Sequence, residues 1–168
     1  MTKEYTFNQG DFVVYPTHGV GKVVGLEETE VCGQMLELLQ VSFNEKKHEV
    51  VKIPMTNMGK TSLRHLSSKD VMDSALSTLK KKPQVKKTIW SRRSQEYSAK
   101  INSGDPCLVA EVVRDLNKLN DASEQSPSER QVFEQAFGRL VGEYAACENI
   151  ELEEASSRIK SMLIKDKL

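Results

Sequence analysis

A chain of 168 residues with 29% charged residues and a mean hydropathy of −0.49 has room for one ordinary domain or two small ones, and it carries no apolar run of the roughly 20 residues that a membrane helix needs. Its 24 basic and 24 acidic residues cancel, which by itself argues weakly against a nucleic-acid partner. Three scattered cysteines, Cys32, Cys107 and Cys147, form no Cys-x-x-Cys pair and sit beside no histidine cluster, so neither a disulfide framework nor a zinc site is expected.

The first residues, Met1-Thr2-Lys3-Glu4-Tyr5-Thr6, lack an apolar run followed by a small-residue cleavage site, and a cytoplasmic protein is expected. Up to Leu66 the sequence reads as short strands: Phe12 to Tyr15, Val20 to Leu26, Met35 to Phe43 and Glu49 to Ile53 are rich in valine, leucine and aromatics. Pro16 with His18-Gly19, the Cys32-Gly33 pair and Asn44-Glu45-Lys46-Lys47 supply turns. Four or five such strands predict a small closed barrel of the SH3 or Tudor type, since closure hides the edges of so short a sheet.

After Leu66 the apolar period changes from two to about 3.6 residues, which places a domain boundary there and predicts domains over 1–66 and 67–168. Ser67 and Ser68 can cap a helix whose apolar face carries Val71, Met72, Ala75, Leu76 and Leu79, and Lys80-Lys81-Lys82-Pro83 breaks it. A second helix runs from about Ile89 to Ile101 and stops at Ser103-Gly104. Asp105-Pro106 signals the next start, with Val109, Val112, Val113 and Leu116 as its stripe. Ser126-Pro127-Ser128-Glu129 has capping-box spacing and opens a helix through Tyr144; a last helix carries Leu152, Ala155, Ile159 and Met162. The predicted class is α+β, a small β-barrel followed by an all-α bundle.

Charge is unevenly placed along the chain. Basic against acidic residues number 8 to 9 over 1–70, 8 to 3 over 71–105 and 8 to 12 over 106–168. From Lys80 to Arg93 there are seven cations and no acid, so an anionic partner belongs there. The only tryptophan lies in this run, in Lys86-Lys87-Thr88-Ile89-Trp90-Ser91-Arg92-Arg93. Helical spacing puts Trp90 on one face with Tyr97 and Ile101, as a core anchor would be. Cations flanking an aromatic are also what minor-groove and junction binders use, with Lys and Arg on phosphates and an apolar wedge at a base step. The residues alone leave these two readings balanced.

Glu49-Val50-Val51-Lys52-Ile53-Pro54 reads first as an ordinary strand. The closing proline also suits an edge, and an open edge can accept a partner strand. No Gly-x-Ser-x-Gly elbow, phosphate loop, dinucleotide fingerprint or His-Glu-x-x-His occurs, and His18, His48 and His65 stand in turns or among polar neighbours. A protein without enzymatic activity, metal or cofactor is expected.

Four blocks, in order, resemble the CarD/CdnL transcription regulators, whose N-terminal module also occurs in the transcription-repair coupling factor. They are Gly10-Asp11-Phe12-Val13-Val14-Tyr15-Pro16-Thr17-His18-Gly19-Val20-Gly21; Lys52-Ile53-Pro54 with Asn57 and Leu63-Arg64; Trp90-Ser91-Arg92-Arg93; and Ser103-Gly104-Asp105 leading to Val109-Ala110-Glu111-Val112-Val113-Arg114-Asp115-Leu116. The resemblance implies a Tudor-like domain that pairs strands with the RNA polymerase β subunit, and a helical domain that touches promoter DNA at the upstream edge of the transcription bubble and stabilises the open complex. It makes Trp90 the wedge, puts Lys52 where the family has a polymerase-contacting cation, and puts Arg130 where a cation approaches DNA phosphates. Val50, Val51, Lys52, Ile53 and Pro54 are then the polymerase-binding strand, and Lys86, Lys87, Arg92 and Arg93 join Trp90 and Arg130 as DNA-binding candidates. Thr29 stands where relatives can carry an arginine against polymerase, Gln95 where a lysine can lie near DNA, and Ser62 where a glycine is frequent. A monomer acting in the minor groove with little sequence specificity is expected, and no membrane association. The competing functions are a protein-binding adaptor without DNA contact and an RNA-binding translation or elongation factor.

Overall fold

A computed structural model of the chain describes residues 7–16, 18–44, 49–57, 63–117 and 126–164. The chain divides into two units, Met1–Leu66 and Ser67–Leu168. Thr17, Ser62, the Glu45-Lys46-Lys47 part of the expected third turn and the first six residues lie outside the described residues.

The first unit is a five-stranded antiparallel sheet of order β4-β3-β2-β1-β5, with β1 over Phe12–Tyr15, β2 over Gly19–Val31, β3 over Gln34–Asn44, β4 over Glu49–Pro54 and β5 over Arg64–His65. A single-turn 3-10 helix, Met55–Asn57, follows β4. Val13, Val23, Leu39, Val41 and Ile53 alternate onto one face and pack with Phe7 and Leu63 as its core. Gly21 pairs with Val13 and faces the Val41 and Phe43 side chains of β3. A β-carbon there would lie 2.6 Å from Val41 Cγ1 and 2.8 Å from the Phe43 ring.

The sheet is open, which corrects the expected closed SH3- or Tudor-type barrel. Closure would need β4 to pair with β5. Instead, among the described residues, β5 is a two-residue stub paired with β1 alone, through Val13↔His65 and Val14↔Arg64, and β4 pairs with β3 alone. The turn falls at Cys32-Gly33 as expected, but residues 27–31, to which the sequence assigns no element between Leu26 and that turn, extend the ribbon. β2 and β3 run together from the bulge after Val23 to Val31↔Gln34, where Cys32 and Gly33 close a two-residue turn with φ of 52° and 78°. Two positive φ values in succession match the right-handed twist of a hairpin and fix the register, so polar Glu27, Glu28, Thr29 and Glu30 are carried along in strand conformation.

The second unit is a helical bundle: α1 Lys69–Leu79, α2 Trp90–Asn102, α3 Pro106–Leu116, α4 Pro127–Glu148 and α5 Leu152–Ile164. Local signals account for the starts. Ser68 accepts from Val71 N–H, Asp105 from Cys107 N–H with Pro106 in the first turn, and Ser126 from Glu129 N–H with Pro127 likewise. Asn149 ends α4 in the left-handed conformation, φ 53°. α3 is the central helix, buried nearly all round, including its last turn Arg114-Asp115-Leu116. On α5, Ala155, Ile159 and Leu163 face the core, whereas Leu152 is exposed and Met162 half-buried. No helix among the described residues is long and apolar enough to cross a membrane.

Candidate functional site

Trp90 is the first residue of α2. Its ring is half-buried: it packs against the bundle core, and its centroid lies 6.1 Å from that of Tyr97, tilted by 46°. Trp90 is thus neither a fully buried core residue nor a fully exposed one. Tyr97 is buried, and burial pushes its phenol above the ordinary value while the neighbouring Arg93 charge opposes the rise.

The cations around Trp90 are not alike. Lys87 and Arg92 are exposed, as is the whole segment from residue 81 to 89. Lys86 is exposed too and meets Glu96 of α2 at 3.3 Å, a pair too wet to hold the lysine firmly. Arg93 differs, with its guanidinium carbon 5.3 Å from the Trp90 ring centroid and Nη2 3.6 Å from Glu129 Oε1. Arg130 follows Glu129 in the first turn of α4 and pairs with Glu134 one turn on, at 3.2 Å and in solvent. The Arg93–Glu129 contact therefore joins the first turns of α2 and α4.

The segment that carries Lys86 and Lys87 is tied down by a residue to which the sequence reading assigned no role. Asp115, at the end of α3 and only 4% exposed in its side chain, accepts from the Gln84 backbone N–H at 2.9 Å and from Arg114 Nε at 2.8 Å. A second buried carboxylate, Glu143 of α4, accepts from the Ser67 hydroxyl at 3.2 Å and 3.3 Å, just ahead of α1. Periodicity could have exposed Glu143, which follows Ala136 and Leu140 on the inward stripe of α4. For Asp115 the signal is weaker, because only the all-round burial of α3 makes its position an inner one.

In the first unit, β4 is an edge strand with one side unpaired among the described residues. Val50 is 44% exposed, Val51 and Pro54 are half-buried, and the Ile53 side chain is buried in the core. A partner strand would thus meet Ile53 through its backbone alone. Lys52 is exposed and pairs with Glu27 of β2 at 2.8 Å, and Gln40 of β3, between them, donates to the same Glu27 oxygen at 2.9 Å. The hydrogen bonds from Lys52 and Gln40, with the Lys52 charge, hold the Glu27 carboxyl below its ordinary value. Thr29 lies farther out on β2, opposite Leu36, and Gln95 is exposed on α2. Among the described residues no group of three or more His, Cys, Asp or Glu side chains is placed to hold a metal ion.

Both units find counterparts among known proteins. Residues 7–67 match the family model for the CarD-like/TRCF RID domain, and residues 74–160 match that for the CarD C-terminal domain. The chain is 23% identical over 151 residues to a Bacillus subtilis (strain 168) protein named "Putative transcription factor YdeB", an alignment that covers 90% of this chain and 98% of that one. Since the C-terminal match alone spans more than half of the sequence and the N-terminal match precedes it in order, the chain belongs to the CarD family.

Proposed function

We propose that the protein is a transcription regulator that binds the RNA polymerase β subunit through its N-terminal unit and promoter DNA through its helical unit, and so stabilises the open promoter complex. The observation that carries the DNA half is the start of α2, where Trp90 is half-buried, Arg92 beside it in sequence is exposed, and the preceding segment presents Lys86 and Lys87 exposed; Arg130, exposed in the first turn of α4, adds a further cation. Cations on phosphates position a protein without reading sequence, and an aromatic edge set among them can enter the minor groove and hold a base step unstacked. The wedge opposes reclosure of the strands at the upstream edge of the bubble.

The polymerase half rests on β4. Its unpaired side offers main-chain donors and acceptors in strand geometry, and Val50 and Lys52 provide an apolar and a charged contact beside them. Tethering to polymerase then supplies a high effective concentration for a DNA contact that is weak alone. Family membership and the YdeB relative support a role in transcription. The test is capture of the polymerase β subunit and binding to forked promoter DNA by the same chain. Binding to neither would leave the protein-adaptor reading, and preference for RNA over the fork would favour an RNA-binding factor.

A further inference from the structure

We propose that Arg93 is a positioning residue that fixes the indole of Trp90, anchored on α4 by Glu129, and is not itself a phosphate ligand. The geometric claim stands on the helical unit alone; its consequence for promoter DNA rests on the wedge reading above.

Trp90 occupies the least secure place in its helix. It is the first helical residue of α2, and the preceding Ile89 supplies no side-chain cap, unlike Ser68, Asp105 and Ser126 at the starts of α1, α3 and α4. An uncapped first turn frays, so an indole placed there needs an outside hold. Arg93, one turn on, supplies it: its guanidinium carbon is 5.3 Å from the indole centroid and its Nη2 is 3.6 Å from Glu129 Oε1. The Arg93 and Glu129 side chains are only 17% and 13% exposed, and Arg93 Nε is shielded from solvent with no acceptor among the described residues. Glu129 is itself held where its backbone N–H meets the Ser126 cap at 3.2 Å. A chain of contacts thus runs from the α4 cap through Glu129 and Arg93 to Trp90.

A phosphate ligand presents its N–H groups to solvent and to the strand. Lys87 and Arg92 are exposed, and Lys86 stays 70% exposed beside Glu96, whereas Arg93 has turned its charge onto a shielded carboxylate and an aromatic face. A planar guanidinium can stack on indole and pair with a carboxylate at once, which an ammonium cannot reproduce.

The lone tryptophan makes the hold directly readable. In the full chain without DNA, acrylamide quenching and the emission maximum report on Trp90 alone. Arg93→Lys and the isosteric Glu129→Gln should both raise quenching and shift emission to the red. Both should also shorten the open-complex lifetime, and Arg93→Lys should leave the salt dependence of fork binding unchanged. Unaltered quenching in both variants would overturn the proposal. So would an Arg93→Lys protein with wild-type lifetime alongside an Arg93→Ala protein whose salt slope falls by about 0.9, the worth of one phosphate contact. Should quenching rise while Trp90→Ala leaves the open-complex lifetime unchanged, the positioning is upheld and the wedge reading alone fails.

Discussion

The two candidate surfaces are built from different parts of the polypeptide. At β4 the offered groups are backbone amides and carbonyls, and the side chains nearby are partly spoken for: Ile53 by the core and Lys52 by Glu27. At the start of α2 the groups proposed to act are side chains, Trp90 and the cations Lys86, Lys87 and Arg92. The sheet surface should therefore tolerate single side-chain truncations and be broken by changes to its backbone, whereas the helical surface should show the opposite sensitivity. A strand edge is a generic adhesive whose specificity comes from shape and register; a cation-framed aromatic is a device whose parts can be removed one at a time.

The largest effect should come from beneath the helical surface. Asp115→Ala leaves Arg114 buried without its carboxylate and releases Gln84, and breaking such a buried pair costs about 3–5 kcal/mol. Chemical denaturation should find the helical unit destabilised by that amount, while polymerase capture by the N-terminal unit persists. Equal loss at both surfaces would remove the distinction between them.

Proline substitution along β4 should come next, because it removes one N–H donor and nothing else the account needs. Successive amides of an edge strand point alternately to the neighbour and outward. Among Val50, Val51 and Lys52, one parity should disrupt the β3–β4 ladder and unfold the sheet, and the other should abolish β-subunit capture with folding retained. Alanine at Val50 or Lys52 should weaken capture far less. A proline series in which every folded variant still captures the β subunit would exclude the edge.

Removing single charges from Lys86, Lys87 or Arg92 should lower the salt slope of fork binding by about 0.9 each, a roughly three- to fourfold change in affinity over a fourfold change in salt. Titrating binding against salt for each alanine variant checks this, and a slope that is unchanged places that cation off the phosphate path.

The smallest effect belongs to Lys52 and Glu27. The Glu27 carboxyl is held below its ordinary value in the folded state, so its contribution to stability is present above the ordinary carboxylate range and is lost as pH falls through the folded value. The pair is exposed and screened by salt, so the change in stability should be slight. In Lys52→Ala the Glu27 titration followed by NMR should move back up toward its ordinary value, and no movement would mean that the pair does not persist in solution.

How much of this was legible in the sequence depended on how local the cause was. The caps at Ser68, Asp105 with Pro106 and Ser126 with Pro127 act within one turn, and the helix starts fall where those residues placed them. Sheet closure is non-local: nothing in the sequence of Arg64-His65 says that, among the described residues, they will pair with β1 and not β4. The barrel was expected from strand count, and strand count does not settle edge pairing. The length of β2 was missed because Glu27 to Glu30 carry no apolar alternation, and their strand conformation is imposed by the Cys32-Gly33 turn. At the helical surface the cations and Trp90 were visible as a cluster, but the partner that separates Arg93 from its neighbours, Glu129, lies 36 positions away on another helix.

The central claim, that Trp90 works by its outer edge on DNA and not by its inner edge on the core, is tested most directly by one paired measurement on Trp90→Ala: thermal melting of the protein and the lifetime of an open complex on one linear promoter. The account predicts a modest loss of stability, below the roughly 3–5 kcal/mol of a fully buried aromatic, with an open-complex lifetime shortened by about an order of magnitude or more. A variant that melts early by the full core penalty, or that holds the promoter open as long as the parent protein, would contradict it.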